Sequence, residues 1–494
     1  MGHATRVKLE VLTTGVPGLD TVLGGGLPEL SFNLIVGAPG AGKTTLVHQL
    51  MFANATEDRP ALYFTIVGEP ALKMLRYQQQ MDFFEPAKLS RAIRYIDLSQ
   101  EVNEGNLDKV LETMVQRVAE LKPAIVVVDS FRSLVHAQFA VRGTAALQSF
   151  LQYLAIQLAT WNVTSLVIAS YGQDELADNP ILTIADSILV LSQHRDRNSV
   201  VRKLEVVKMR GMASIAGLHT FRISSRGVHV FPRNLGVMRL TGHGVPRQRA
   251  TLGIAELDAM LGGGLPVGDA TIIAGPSGTG KTVLGTHFIA EGIAHDEHCV
   301  AAVFEEHPDD YLARAADMGF DLPAMVKAGK LELLQLRPLD LSADEILFRI
   351  QEAVDRMGAC RLVIDSLNGL EIALAPTFRD DFRESFYRMI SGLTGGGISV
   401  VLTIEVPEVF TEIAFSPHAV SFLSQNIIFL RYVELESQLR RMLTVVKMRR
   451  SSHSRAFHEY EITASGLRML GPLTDYRGLL SGTPVDALAA RKRR

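Results

Sequence analysis

A chain of 494 residues, 47% of them hydrophobic, has enough apolar material for more than one buried core. Its formal net charge of −3 gives no whole-chain attraction to nucleic acid or to an anionic membrane. Only Cys299 and Cys360 are present, which offers no disulfide framework, and no apolar run has the length of a membrane span or the pattern of a secretory leader, so the composition reads as cytoplasmic.

In chain order, Leu34-Ile35-Val36 reads as a strand that runs into Gly37-Ala38-Pro39-Gly40-Ala41-Gly42-Lys43-Thr44, with a helix from about Thr45-Leu46. This loop fits G-x-x-x-x-G-K-[ST]. Gly37, Gly40 and Gly42 let consecutive backbone N–H groups turn inward around phosphates, where a helix N-terminus adds positive potential. Lys43 is placed to neutralise β- and γ-phosphate charge and Thr44 to ligate Mg²⁺, with Thr45 completing the nucleotide-binding set. Residues 61–66, 124–129 and 164–169 are short, apolar and rich in β-branched side chains, and an amphipathic stretch at 108–121 lies between two of them. Buried strands joined by helices predict a mainly parallel sheet with right-handed crossovers, which binds ligands at the carboxyl ends of its strands. A polar stretch with Gly and Pro at 241–250 then reads as a linker between domains at 1–240 and 251–494.

The second half repeats the first. Thr271-Ile272-Ile273-Ala274 leads into Gly275-Pro276-Ser277-Gly278-Thr279-Gly280-Lys281-Thr282, with a helix from about Val283-Leu284. Gly275, Ser277, Gly278, Thr279, Gly280, Lys281, Thr282 and Val283 form the second nucleotide-binding set. Strands are predicted at 300–304, 361–365 and 398–403. Gly15 corresponds to Gly253 and Lys43 to Lys281 at a common offset of 238 positions, while Val206-Val207-Lys208-Met209-Arg210 matches Val445-Val446-Lys447-Met448-Arg449 at 239. An offset kept over that distance means duplicated domains. The fold class is α/β: two tandem P-loop domains, each a mainly parallel sheet flanked by helices.

Asp129 and Asp365 each end an apolar strand and precede a serine, as suits a Mg²⁺ ligand behind a phosphate loop. The halves differ at the next site. Glu305 and Glu306 follow the strand at 300–304, and the offset sets them on Val67 and Gly68. A carboxylate beside the γ-phosphate can orient or deprotonate an attacking oxygen; valine and glycine cannot. Glu69 lies close by in the first half. His295, His298 and Cys299 lack a second cluster to complete a metal site and read as a loop and a buried thiol. Residues 491–494 read as a solvated basic tail.

The ordered set of phosphate loops, Glu-Glu pair, Asp-Ser strand ends and twin Lys-Met-Arg segments resembles the KaiC family of circadian-clock ATPases and autokinases, over nearly the whole chain. The resemblance implies RecA-like domains, ATP and Mg²⁺ as cofactors, and a homohexamer of two stacked rings with ATP between neighbours. It implies that Lys208 and Arg210, and Arg441, Lys447 and Arg449, act on a neighbour's nucleotide, that Glu305 and Glu306 serve autophosphorylation, and that Ser421 is the phosphoacceptor with Ser424 in reserve. Two departures stand out. Phe422 replaces the second residue of the family's Ser-Thr acceptor pair, which argues against an ordered two-site cycle. Few residues follow Pro484, which argues against a KaiA-type activator and leaves a KaiB-type or signalling protein as partner. Two other readings compete: a DNA-dependent motor, disfavoured by the balanced charge, and a nucleotide-gated scaffold without useful turnover.

Overall fold

The computed structural model describes residues 9–66, 71–104, 107–130, 153–154, 156–157, 160–170, 181–196, 199–233, 248–304, 306–336, 342–372, 379–406, 424–449, 451–474, 476–479 and 485–486. The chain forms two compact units, Met1–Arg233 and Asn234–Arg494. Arg249 and Ala250, the last two positions of the anticipated linker, pair with Pro266 and Leu265, so hydrogen bonding of the second unit starts inside it.

The first unit is built on nine strands: β1 (Phe32–Gly37), β2 (Ala61–Thr65), β3 (Ile93–Asp97), β4 (Ile125–Asp129), β5 (Thr164–Ala169), β6 (Ser187–Asp196), β7 (Ser199–Met209), β8 (Leu218–Ser224) and β9 (Gly227–Phe231). Helix α1 (Lys43–Asn54) follows β1, and α2 (Leu107–Leu121) covers the anticipated amphipathic stretch. The sheet order is β9-β8-β7-β6-β1-β5-β4-β2-β3. Strands β1 to β6 pair in parallel, and β7 to β9 continue the sheet as antiparallel hairpins.

The second unit repeats this with β10 (Ala270–Gly275), β11 (Cys299–Val303), β12 (Leu331–Gln335), β13 (Arg361–Asp365), β14 (Ser399–Glu405), β15 (Asn426–Leu435), β16 (Gln438–Met448), β17 (His458–Thr463) and β18 (Gly466–Pro472). Its helices include α3 (Lys281–Ala294), α4 (Pro308–Asp317), α5 (Ala343–Met357) and α6 (Arg379–Gly395). The order β18-β17-β16-β15-β10-β14-β13-β11-β12 is that of the first sheet, strand for strand.

Continuous apolar runs form these strands because both faces are covered. Leu34 and Val36 belong to one core, and Ile35 between them belongs to the core on the opposite face with Leu46, Val47 and Leu50 of α1. The second sheet divides in the same way, Ile272 and Ala274 on one face and Ile273 on the other with Leu284 and Phe288 of α3. Burial on two faces is what parallel strands with helical crossovers require. The pleat therefore sends the odd residues of each loop strand toward the helix that follows the loop.

Candidate active site

Both phosphate loops leave the carboxyl end of the central strand and enter a helix at the lysine. Gly37, Gly40, Gly42, Lys43, Thr44 and Thr45, and Gly275, Ser277, Gly278, Thr279, Gly280, Lys281, Thr282 and Val283, are thus assembled as two loop-to-helix turns. The last glycine of each loop has a left-handed backbone, φ 104° at Gly42 and 94° at Gly280. That backbone is what favours glycine, and a Cβ there would also press on Ile223 Cδ1 at 2.5 Å in the first unit and on Ile462 Cδ1 at 2.9 Å in the second.

The Lys43 ammonium donates to the carbonyls of Gly37 at 2.7 Å and Ala38 at 3.0 Å, and Lys281 donates to the carbonyl of Pro276 at 2.8 Å. Each cation is curled over its own loop. Burial holds Lys43 below the ordinary lysine value, opposed by the charge of Asp129.

Asp129 and Asp365 close the pairs β2–β4 and β11–β13, opposite Thr65 and Val303. Both precede a cis peptide bond to serine. Asp129 Oδ2 lies 3.5 Å from the Thr44 hydroxyl and accepts a 2.6 Å hydrogen bond from Tyr63. Burial raises its pKa, and the Tyr63 hydrogen bond, Lys43 and Thr44 oppose that rise. Thr44 and Asp129 bring a hydroxyl and a carboxylate together beside the lysine, a set of hard oxygen donors that could hold Mg²⁺. In the second unit Asp365 Oδ1 accepts a 2.5 Å hydrogen bond from Thr403 of β14.

Glu306 follows β11 and pairs with Arg314 Nη2 of α4 at 2.6 Å. Glu305, Val67, Gly68, Glu69 and Ser421 lie outside the described residues. The residue before the Glu-Glu pair is described: the amide of Phe304 donates to the carbonyl of Asp365 at 3.0 Å.

Lys208, Arg210, Lys447 and Arg449 collect at the other end of their sheets. Lys208 pairs with Ile188, which neighbours Leu34, and Lys447 pairs with Ile427, which neighbours Ile272; both levels lie three residues before the loop glycine. Lys208 donates to the carbonyls of Leu182 and Thr183 at 3.0 Å, Arg210 pairs with Asp186 at 3.2 Å, and Lys447 donates to the carbonyl of Ser424 at 2.7 Å. The ladder shifts register just before each lysine, which leaves Val207 and Val446 as the extra residue of a bulge. Arg441 stands apart from this group. It pairs with Tyr432, beyond the level of the loop, and its guanidinium lies 5.5 Å from the Tyr432 ring centre. A Cβ on Gly278 would come within 2.8 Å of the Tyr432 hydroxyl, so Arg441 belongs beside its own phosphate loop.

The sequence pattern left out the residues that brace the sites. Tyr63 reads there as one apolar strand position, and Tyr460, whose hydroxyl donates to the carbonyl of Thr279 at 2.5 Å, is reached only through the antiparallel extension. Outside the sites, the His295 and His298 rings bond to the carbonyls of Glu291 and Met357, and Cys299 is buried in β11. Among the described residues no helix is long and apolar enough to cross a membrane. The basic tail at 491–494 lies outside the described residues.

Two phosphate loops, each at the carboxyl end of a mainly parallel sheet and each backed by an acidic strand end, define a duplicated P-loop ATPase with RecA-like domains. A family model described as "ATPase: KaiC" matches residues 12–234 and again residues 250–473. The chain belongs to the KaiC family of ATPases. It is 26% identical over 505 residues to the circadian clock oscillator protein KaiC of Prochlorococcus marinus, covering 98% of this chain and 97% of that protein. It is 27% identical over 503 residues to KaiC of Rippkaea orientalis, covering 97% and 92%, and 26% identical over 501 residues to the circadian clock protein KaiC3 of Synechocystis sp., covering 97% and 95%.

Proposed function

We propose that this KaiC-family ATPase works as a homohexameric ring of Mg²⁺·ATP-binding protomers, with hydrolysis and serine autophosphorylation in the domain at 251–494 and ring assembly as the main task of the domain at 1–240. The observation that carries the reading is the contrast between two otherwise matched sites. Glu305 and Glu306 come after β11, whose last residue pairs with Asp365, while valine and glycine stand at 67 and 68.

In the second domain, Lys281 and the loop amides hold the β- and γ-phosphates, and Thr282 and Asp365 are the residues to hold Mg²⁺, which shields phosphate charge when bound. Lys447 and Arg449 lie far from their own loop, which supports action on the nucleotide of the neighbouring protomer. Ser424, whose carbonyl Lys447 binds, stands at that same end, three positions after Ser421 in the sequence. An acceptor there is served by a neighbour's ATP. The Ser421 hydroxyl oxygen bonds to the γ-phosphorus as the bond from that phosphorus to the β–γ bridging oxygen breaks; ADP leaves, and the hydroxyl proton passes to Glu305.

Phosphopeptide mass spectrometry after incubation with Mg²⁺·ATP tests this on wild type, Ser421→Ala and Glu305→Gln. Phosphate on Ser421 of the wild type and its loss in Glu305→Gln support the mechanism. Phosphate on Ser424 moves the acceptor by three residues. An unmodified segment 416–430 in every sample reduces the second domain to an ATPase.

A further inference from the structure

The two acidic strand ends are held by hydroxyl groups from opposite sides. In the first unit the hydroxyl comes from Tyr63 on β2, 2.6 Å from Asp129 Oδ2. In the second it comes from Thr403 on β14, 2.5 Å from Asp365 Oδ1. Strand β4 lies between β2 and β5, and β13 lies between β11 and β14, so the donors stand on the two different neighbours of the acidic strand.

The exchange is reciprocal. Tyr63 pairs with Val127 as Ala301 pairs with Val363, so the second unit has alanine where the first has tyrosine. Thr403 pairs with Ile273 as Ile168 pairs with Ile35, so the first unit has isoleucine where the second has threonine. Each unit keeps one hydroxyl from a flanking strand on its acid, and the unused flanking position is apolar.

The Tyr63 ring is fixed in place. It is fully buried between the sheet and α1, 4.9 Å from the His48 ring centre and 5.2 Å from that of Tyr95. His48 Nδ1 is bonded to the carbonyl of Thr44 at 2.7 Å, which ties this cluster to the second oxygen donor of the site. Thr286 takes the His48 position in the second unit and donates to the carbonyl of Thr282 at 3.0 Å.

We propose that Tyr63 and Thr403 are positioning residues for the metal–nucleotide complex, Tyr63 orienting Asp129 in the first site and Thr403 orienting Asp365 in the second. A carboxylate that swings freely must give up that freedom to serve a hydrated cation; one already held by a buried hydroxyl is pre-oriented. Partners of this kind are typically worth about 10–100-fold in metal affinity. The inference rests on the Mg²⁺ reading proposed above.

A Lys281→Ala chain isolates the first site. A fluorescent ADP analogue is titrated into it with Mg²⁺ and, separately, with EDTA. Tyr63→Phe, which keeps the ring and removes the hydroxyl, weakens binding about tenfold or more in Mg²⁺ and leaves binding in EDTA unchanged. Adding Ile168→Thr supplies a hydroxyl from the other flank and restores most of the loss. Unchanged affinity in Mg²⁺, or an equal loss in EDTA, overturns the proposal. If the Lys281→Ala chain itself binds equally with and without Mg²⁺, the metal reading falls and this inference falls with it. Thr403→Val in the intact chain is an independent arm, which decides the matter if Tyr63→Phe does not fold. It raises the Mg²⁺ concentration at half-maximal turnover about tenfold, and Thr403→Ser restores it; an unchanged midpoint overturns the proposal.

Discussion

Lys447 and Gly275 lie at different ends of one sheet: Lys447 is level with Ile427 and Ile272, and Gly275 comes three residues later along β10. At about 3.3 Å per residue that separation is roughly 10 Å before the loop itself is counted. Lys447 therefore stands back from its own phosphate loop, bonded to the carbonyl of Ser424, and Arg449, whose amide donates to the carbonyl of Gln425, stands further back. Mixing tests the consequence. Lys281→Ala lacks a working second site but keeps the basic pair; Arg449→Ala has the reverse defect. Each alone loses second-domain turnover by about 10²-fold or more. Assembled together in equal amounts they recover about a quarter of it, because one head-to-tail interface in four joins an intact site to an intact arginine. Activity equal to the mean of the two single variants would show that the pair acts within its own protomer.

The two glutamates after β11 separate by their surroundings. Glu306 is engaged by Arg314 at 2.6 Å in a partly exposed pair, an interaction worth about 1 kcal/mol or less. Glu306→Gln is expected to lower steady-state turnover less than about tenfold. Glu305→Gln removes the proposed base and leaves at most a few per cent of the second-domain rate, since such a base contributes about 10²–10⁴-fold. The reverse ranking in an ATPase assay would assign the base to Glu306.

The proposed division of labour extends to assembly. Nucleotide bound between protomers stabilises the ring by mass action. Lys43→Ala is expected to dissociate rings at ATP concentrations where Lys281→Ala remains assembled, as read by light scattering. Equal ring stability in the two variants would remove the structural role given to the first domain.

His287 gives a pH dependence that is independent of catalysis. Its Nε2 accepts the amide of Leu467 at 2.9 Å, so the folded ring is neutral there, and burial pulls its pKa down to about 4. The unfolded ring, near 6.5, takes up its proton first, so the contribution is complete above about pH 6.5 and is lost as pH falls toward 4. The stake is on the order of 3 kcal/mol. Hydrogen exchange of a peptide spanning residues 463–470, corrected for intrinsic rates, should lose protection across that window, and His287→Gln should flatten the profile.

Four parallel strands of each sheet, β1, β2, β4 and β5 and their counterparts, were legible because their chemistry is local, whereas β3, β6, β12 and β15 were not foreseen. An apolar run, a glycine loop and a helix follow one another within about twenty residues, and the repeat offset identifies the second copy. Strand β4 at Ile125–Asp129 and helix α2 at Leu107–Leu121 fall within a residue of their predicted positions for the same reason. The antiparallel strands β7 to β9 were not foreseen; residues 206–210 carry a motif, and motif recognition does not report a hairpin partner. Tyr63 and Thr403 were missed on other grounds. Their partners lie 66 and 38 positions away in sequence, and the strand pattern marks both positions only as buried. Arg441 received the same role as Lys447 from the family resemblance alone, which does not report that a strand carries residues six apart to different ends of a sheet.

Val446 has no chemistry of its own, but it sets parity. Side chains alternate along a strand, so the single unpaired residue before Lys447 reverses the face on which every later residue emerges. Drawing Val446 into the ladder opposite Ile427 would leave Lys-Met-Arg spelled as before, with its cations turned to the wrong side. The same arithmetic holds for Val207 before Lys208. A scan for the motif does not see that choice; only the count of paired residues back to the hairpin reveals it.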